Sequence, residues 1–305
     1  MENVSTTNTI EYTLFRGRKV RDFSYLTIGE ALDKYNERRE ERCSPATVAR
    51  YDEHKRIYFN DILQVPLLSI DDDFLQKKVD QLCKSLAPKT VINAYNHLHS
   101  VLEEFLPDHY WRVILPDKVP IDYYIPDTNE VKTLVNSAND DILVPILLAA
   151  YGGLRRSEVC GLQISDFTSK GVHIQRAVVY DKHKHPCIKC PKTKAGYRFV
   201  PLPGSVIFMS KRWNYYGMLP NTLSKKYEKT IKKLDMPYFS FHKLRHYWAS
   251  DLHAHGVPDQ YICKVGGWKS PETLQRIYQH ALRDKEREFN NMMVSIFDDE
   301  ISKAL

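Results

Sequence analysis

Arg155 and Glu158 sit in Gly152-Gly153-Leu154-Arg155-Arg156-Ser157-Glu158, directly after an apolar run that ends at Tyr151. An arginine placed just past a buried helix and beside a carboxylate can hold its planar guanidinium rigid, as anion recognition requires. His242 and Arg245 stand three apart in SFHKLRHYWASDLHAHG, so on a helix they share a face and can address one small anion together. His246 is adjacent and faces elsewhere. Lys192 and Lys194 flank a turn in IKCPKTKAGYRFVP and can reach into a neighbouring cleft. Tyr278 lies near the end of GGWKSPETLQRIYQH; taken alone, a tyrosine there is a half-buried amphipathic residue. Four short pieces thus offer guanidinium, imidazole, ammonium and phenol groups, and the fold decides whether they meet.

The elements that must position them can be read from caps and periodicity. Asp127 with Glu130 makes a capping box that opens a helix through Val131, Leu134 and Val135. Ile142 to Tyr151 is almost wholly apolar, a buried helix despite Pro145. Val172 to Val179 alternates as a strand, and Ile188 to Pro201 is expected as a hairpin with Lys194-Ala195-Gly196 at its tip. Ser240 caps the helix of His242 and Arg245, Gly256 ends it, and a short helix over Pro258 to Val265 leads on. Ser270 and Pro271 then start the helix of Tyr278 through Thr273, Leu274 and Ile277.

Upstream, four amphipathic helices make a compact bundle. They open at Thr27/Glu30, at Ser44-Pro45 and near Asp71, and the fourth runs from Lys89 to Phe105. Arg38, Arg39, Arg42, Arg50, Lys89 and His97 are expected at helix starts and exposed faces, beside Ser44, Thr47, Thr90 and Asn93, which can reach phosphates. A solvated face is the alternative for any one of these charges. Residues 1–23 are expected as an extended N-terminal arm, 24–115 as the helical domain, 116–126 as a proline-punctuated linker, 127–290 as a second domain and 291–305 as a tail. The expected fold is mainly α with a small β-sheet, an α+β arrangement.

With 305 residues the chain can bury two cores, and its net charge of +6 permits a polyanionic partner without requiring one. No apolar run approaches the roughly 20 residues that span a bilayer. With no secretion signal in MENVSTTNTIEYTLF and no disulfide-rich cysteine spacing, a cytoplasmic location with reduced thiols is expected, on the nucleoid if the source is bacterial. His183, His185, Cys187 and Cys190 crowd together, but on an extended strand residues three apart point to opposite faces, and no metal site is assigned.

In order and spacing, the stretches around Arg155 and Glu158, Lys192, His242 and Arg245, and Gly267-Trp268 with Tyr278 resemble the signature of the tyrosine recombinases, the phage-integrase family. Ser44-Pro45-Ala46-Thr47 with Tyr51, and Ala87-Pro88-Lys89-Thr90, are similar to that family's helical core-binding (SAM-like) domain, so the resemblance covers roughly residues 24–290. It implies a two-domain clamp on double-stranded DNA recombination sites. Arg155 and Arg245 would hold the scissile phosphate, Glu158 would buttress Arg155, and Lys192, with Lys194 as the alternative, would protonate the leaving 5′-oxygen. His242 would assist proton transfer and Tyr278 would attack. Trp268 stands where many members carry a second histidine; its indole N–H can donate but cannot shuttle a proton.

These residue types suit that chemistry. A free tyrosine has a pKa of about 10, and nearby arginines favour its phenolate and stabilise the charge of the pentacoordinate phosphorane. A positioned acid at the leaving oxygen is worth about 10² to 10⁴ in rate. A 3′-phosphotyrosine conserves the phosphodiester energy, so no ATP is needed, and no carboxylate cluster for magnesium is present; no cofactor is expected. The resemblance points to an integrase acting as a homotetramer on synapsed DNA, integrating or excising a mobile element. It allows an accessory DNA-bending or directionality protein and includes no membrane partner. A Xer-like resolvase, for which a separate N-terminal arm-binding domain is not needed, and a catalytically silent DNA-binding protein on the same fold are the alternatives.

Overall fold

The computed structural model describes residues 12–15, 18–21, 26–118, 124–190, 197–268, 270–272, 274–275 and 294–295. The chain divides into two compact units, one of residues 1–120 with 180–185 and one of 121–179 with 186–305. The mainly helical fold with small sheets is as expected from the sequence pattern.

In the first unit, β1 (Tyr12–Phe15) and β2 (Arg18–Arg21) form an antiparallel pair where an extended lead-in is expected. The helix α1 (Ile28–Glu40) starts on the Thr27/Glu30 capping box, with both reciprocal hydrogen bonds formed. Ser44 caps α2 (Pro45–Glu53), and the chain then widens into a π-turn over His54–Tyr58, so the regular helix is shorter than its apolar spacing implies. Asp71 caps α3 (Asp72–Cys83), and α4 (Pro88–Phe105) presents Val91, Ala94, Leu98, Val101, Leu102 and Phe105 to the core. Each such side chain contributes about 1.5–3 kcal/mol on burial. His97 departs from its expected place on an exposed basic face. It is buried, its ring stacked on Tyr51 at 4.0 Å and its Nε2 3.2 Å from Asn36 Oδ1. A neutral imidazole stacks well in an apolar layer, so the aromatic neighbours outweigh its affinity for water.

The second unit is built round α6 (Asp140–Gly152), which follows the capped helix α5 (Thr128–Ser137) and is apolar nearly all round. Pro145 cannot donate to the Asp141 carbonyl one turn back; the Trp213 indole N–H donates to it instead, at 3.2 Å. Against α6 packs α10 (Phe241–Ala254), with Ser240 at its N-cap position but making no side-chain capping bond. Short α7 (Arg156–Gly161) follows α6, and α8 (Gly204–Lys211), α9 (Pro220–Lys233) and α11 (Asp259–Gly266) complete the helices described.

The strands differ from the sequence reading in two ways. The run from Val172 to Val179 is broken into β3 (Gly171–Ile174) and β4 (Ala177–Tyr180), because Arg176 turns out of the strand to pair with the buried Asp166 carboxylate at 2.7 Å. A buried carboxylate needs such a partner. The two strands flanking the lysine segment, β5 (Pro186–Lys189) and β6 (Arg198–Pro201), do not pair with each other: β5 lies beside β4, and β6 beside β3. Burial decides this. Val200 is 0% exposed opposite the equally buried Val172, whereas Ile188 on β5 is 66% exposed and has no apolar face to give.

Candidate active site

Two helix ends set the site. At the end of α6, Gly153 takes the left-handed conformation (φ 65°), and at the end of α11 Gly267 does the same (φ 71°). A side chain at Gly153 would collide with the Trp248 ring, so glycine is required on both steric and conformational grounds. Each turned-out carbonyl receives one of the arginines singled out by sequence. Arg245 donates from Nη1 to the Gly153 carbonyl at 2.5 Å, and Arg155 from Nη2 to the Gly267 carbonyl at 2.7 Å.

Arg155 stands at the N-cap of α7, and Glu158 three residues on accepts from its backbone N–H at 2.8 Å and from its Nη1 at 2.7 Å. The carboxylate is also gripped by an arginine absent from the sequence-based set. Arg198, on β6, donates Nη1 and Nη2 to the two Glu158 oxygens at 2.9 and 2.8 Å, and its Nε to the Val265 carbonyl at 2.7 Å. Burial alone would raise the Glu158 carboxyl, but the hydrogen bonds and charge of Arg198, then the charge of Arg155, outweigh it and bring its pKa down to about 2. A sequence signal for Arg198 exists: it alternates with the buried Val200 and so faces inward on its strand.

Arg245 is 0% exposed. Its guanidinium lies over the Trp268 ring, 3.7 Å from the centroid, while its Nε and Nη2 have no partner among the described residues. Burial and the like charge of Arg155 disfavour its cationic form, which Glu158 supports. Trp268 stacks in turn on Trp248. The indole thus lies along one face of the cation.

His242 is one turn before Arg245 on α10, at the surface. Its desolvated side, with the charges of Arg245 and Arg155, lowers its pKa to about 4, so the ring is a neutral imidazole at pH 7. His246 packs edge-on against it, 4.8 Å between ring centres. A cavity of about 460 Å³ is lined by Arg155, Arg156, Ser157, Ser224, Ser240 and His242, among others.

Arg155, Glu158, Arg245 and Trp268 therefore form one connected cluster, with His242 beside them. Tyr278, Lys192 and Lys194 lie outside the described residues, although Leu274, four residues before Tyr278, is buried with Trp248, Ala249 and Ile262. In the first unit, Ser44 and Thr47 are hydrogen-bonded to each other at 2.8 Å in the α2 cap, Arg50 and Lys89 are exposed, and Thr90 and Asn93 are partly buried on α4. His183 and His185 donate their backbone N–H groups to Asp181, and among the described residues no group of three histidine, cysteine or acidic side chains is placed to hold a metal ion.

Residues 127–285 match the model of the phage integrase family. The chain belongs to the phage integrase family. As a member it is a tyrosine recombinase, an enzyme that cuts and rejoins DNA strands. A tyrosine recombinase XerC-like protein of Caldanaerobacter subterraneus subsp. tengcongensis is 24% identical over an alignment covering 86% of this chain and 81% of that protein. The integrase of Salmonella phage P22 is 39% identical over 67 residues, 22% of this chain and 17% of the phage protein. Among solved structures, the Tn1549 transposon integrase in complex with transposon right-end DNA superposes with a TM-score of 0.72 at 16% identity, covering 86% of this chain and 99% of that one. A lambda integrase dimer bound to a COC′ core site gives 0.63 at 14% identity, covering 84% and 96%. At such identities these two integrases speak for the fold alone. Among the described residues no helix is long and apolar enough to cross a membrane.

Proposed function

We propose that this phage-integrase family member is an integrase that integrates or excises a mobile element through a 3′-phosphotyrosine on Tyr278. The observation that carries the reading is Arg245: a buried cation whose Nε and Nη2 are unmatched among the described residues is costly unless an anion completes it. A DNA phosphate held by Arg245 and Arg155 supplies that anion. The Tyr278 oxygen attacks the phosphorus, the P–O5′ bond breaks, and the leaving oxygen takes a proton from Lys192, or from Lys194 if the turn register places that residue nearer. His242, on the same helix as Arg245, assists the proton transfer. Trp268 holds the Arg245 plane rather than moving protons.

In this reading residues 24–115 are the core-binding domain and 127–290 the catalytic domain. Ser44, Thr47, Arg50, Lys89, Thr90 and Asn93 contact the DNA backbone, and four copies assemble on paired sites, an arrangement that allows an accessory DNA-bending or directionality protein. The protein works in the cytoplasm, on the nucleoid in a bacterial host. Incubation with pooled nicked genomic fragments, followed by recovery and sequencing of covalently attached DNA, tests it. Tyr278→Phe should abolish the adduct while leaving binding nearly intact; an undiminished adduct from that variant would overturn the assignment. The XerC-like relative, aligned over 86% of the chain, favours a second reading, resolution of paired sites within one replicon. Joining only between sites on the same molecule would select it.

A further inference from the structure

We propose that Arg198 is a positioning residue of the recombination site, acting through Glu158 and through the turn that carries Trp268. The inference rests on the phosphotyrosine reading above and deepens it. Three elements meet at this one side chain, which is 5% exposed. From β6 it reaches both oxygens of Glu158 on α7 and the Val265 carbonyl near the end of α11. The Gly267 position is packed against the same guanidinium, since a Cβ there would lie 3.3 Å from Arg198 Cδ, Cζ and Nε.

The geometry has two consequences for the neighbouring groups. Glu158 is shared between two guanidiniums, so its charge is divided and Arg155 keeps more of its own for an anion. Without Arg198, the carboxylate would be free to turn wholly onto Arg155, neutralising it and changing its direction. Secondly, the turn of residues 265–268 is held from two sides, by Arg198 at Val265 and by Arg155 at Gly267. That turn fixes Trp268 against Arg245 and opens the segment leading to Tyr278. Arg198 also begins the strand that follows Lys192 and Lys194 in sequence, so one buried fork joins that strand to Glu158 and to the turn that carries Trp268. Lysine cannot replace it, having no planar fork to span two oxygens and a carbonyl.

The test uses the full chain on a nicked DNA substrate that traps the covalent adduct, recovered from the wild-type selection. Wild type, Tyr278→Phe, Arg198→Met, Arg198→Lys, Glu158→Gln and the Arg198→Met/Glu158→Gln double variant are compared for DNA affinity, single-turnover cleavage rate and its pH profile. Arg198→Met should bind DNA within about threefold of wild type and cleave it about 10²-fold more slowly, the scale of a small misplacement of reacting groups. Arg198→Lys should recover only part of that loss. In Arg198→Met the rate should also fall further as pH drops from 7 to 5, because Glu158 loses the partner that keeps it ionised, and Arg198→Met should slow the Glu158→Gln background by clearly less than it slows wild type, the remainder being the Val265 contact.

Wild-type rate and profile in Arg198→Met would overturn the proposal. So would a loss that disappears at a lower temperature where the variant is fully folded, since that is a stability effect alone, and so would fully additive losses in the double variant. Absence of an adduct from wild type is a different failure: it removes the phosphotyrosine reading, and this proposal with it.

Discussion

Arg245 is matched at Nη1 by the Gly153 carbonyl and faced by the Trp268 ring, yet its Nε and Nη2 point to nothing within the described residues. Folding therefore pays the desolvation of a cation and recovers only part of it. An apolar side chain of similar length avoids that cost, so Arg245→Met should raise the unfolding free energy of the DNA-free protein by about 1–2 kcal/mol while eliminating cleavage. Thermal or urea unfolding of the two proteins without DNA decides it. A marked loss of stability would mean that the guanidinium earns its place by the carbonyl and the indole alone, and that no anion is needed to explain it. Glu158 presents the opposite case. Its carboxylate is hydrogen-bonded by Arg198 and Arg155, which bring its pKa down to about 2, so it is ionised at pH 7. Under the proposed function, Glu158 stays charged beside Arg155 while Arg245 keeps Nε and Nη2 for the phosphate.

At the scale of elements, most helices were legible in the sequence because their signals are local. The Thr27/Glu30 and Asp127/Glu130 boxes, Ser44-Pro45 and the spacing from Val91 to Phe105 each lie within one or two turns. The strands were harder, since a four-residue strand takes its partner from long-range burial, as Val200 does from Val172. Arg198 was missed for the same reason: its partners are 40 and 67 residues away in sequence. His97 was misplaced because its contacts with Tyr51 and Asn36 come from other helices. The buried His97 has a measurable consequence. Burial, then the charges of His54 and Arg39, lower its pKa to about 3, and burial with Arg50 lowers His54 against the opposing Glu53. A histidine whose folded pKa lies below the ordinary 6.5 binds fewer protons folded than unfolded. Its contribution is complete above about pH 6.5 and is lost as pH falls towards the folded value, at up to about 1.4 kcal/mol per pH unit. His242 and His246, at about 4 and about 3, add the same sign in the second unit. Urea unfolding at pH 7 and pH 5.5 should give a smaller difference for His97→Gln than for wild type; equal differences would show that His97 titrates normally in the folded protein.

For the whole molecule, the proposed exchange between DNA strands at paired sites calls for several copies of the chain acting in concert. The tail from residue 291 carries Met292, Met293, Val294, Ile296 and Phe297 beside Asp298, Asp299 and Glu300, an apolar cluster followed by charge. Val294 is 60% exposed. Apolar side chains in such a cluster gain about 25 cal/mol per Å² when another surface covers them, and a second copy of the chain is the partner that a synapse brings close. Docking in trans would make assembly a precondition for full exchange, because a subunit without its neighbours leaves the tail unplaced. A chain truncated after Asn290 should accordingly bind a single site with unchanged affinity and still form the Tyr278 adduct on a nicked substrate. It should fail to assemble four copies on paired sites. Sedimentation of the two proteins on paired-site DNA separates the cases, with loss of the four-copy complex expected on truncation. If the truncated chain assembles as the full one does, the tail packs on its own subunit and coupling between active sites must run through another surface.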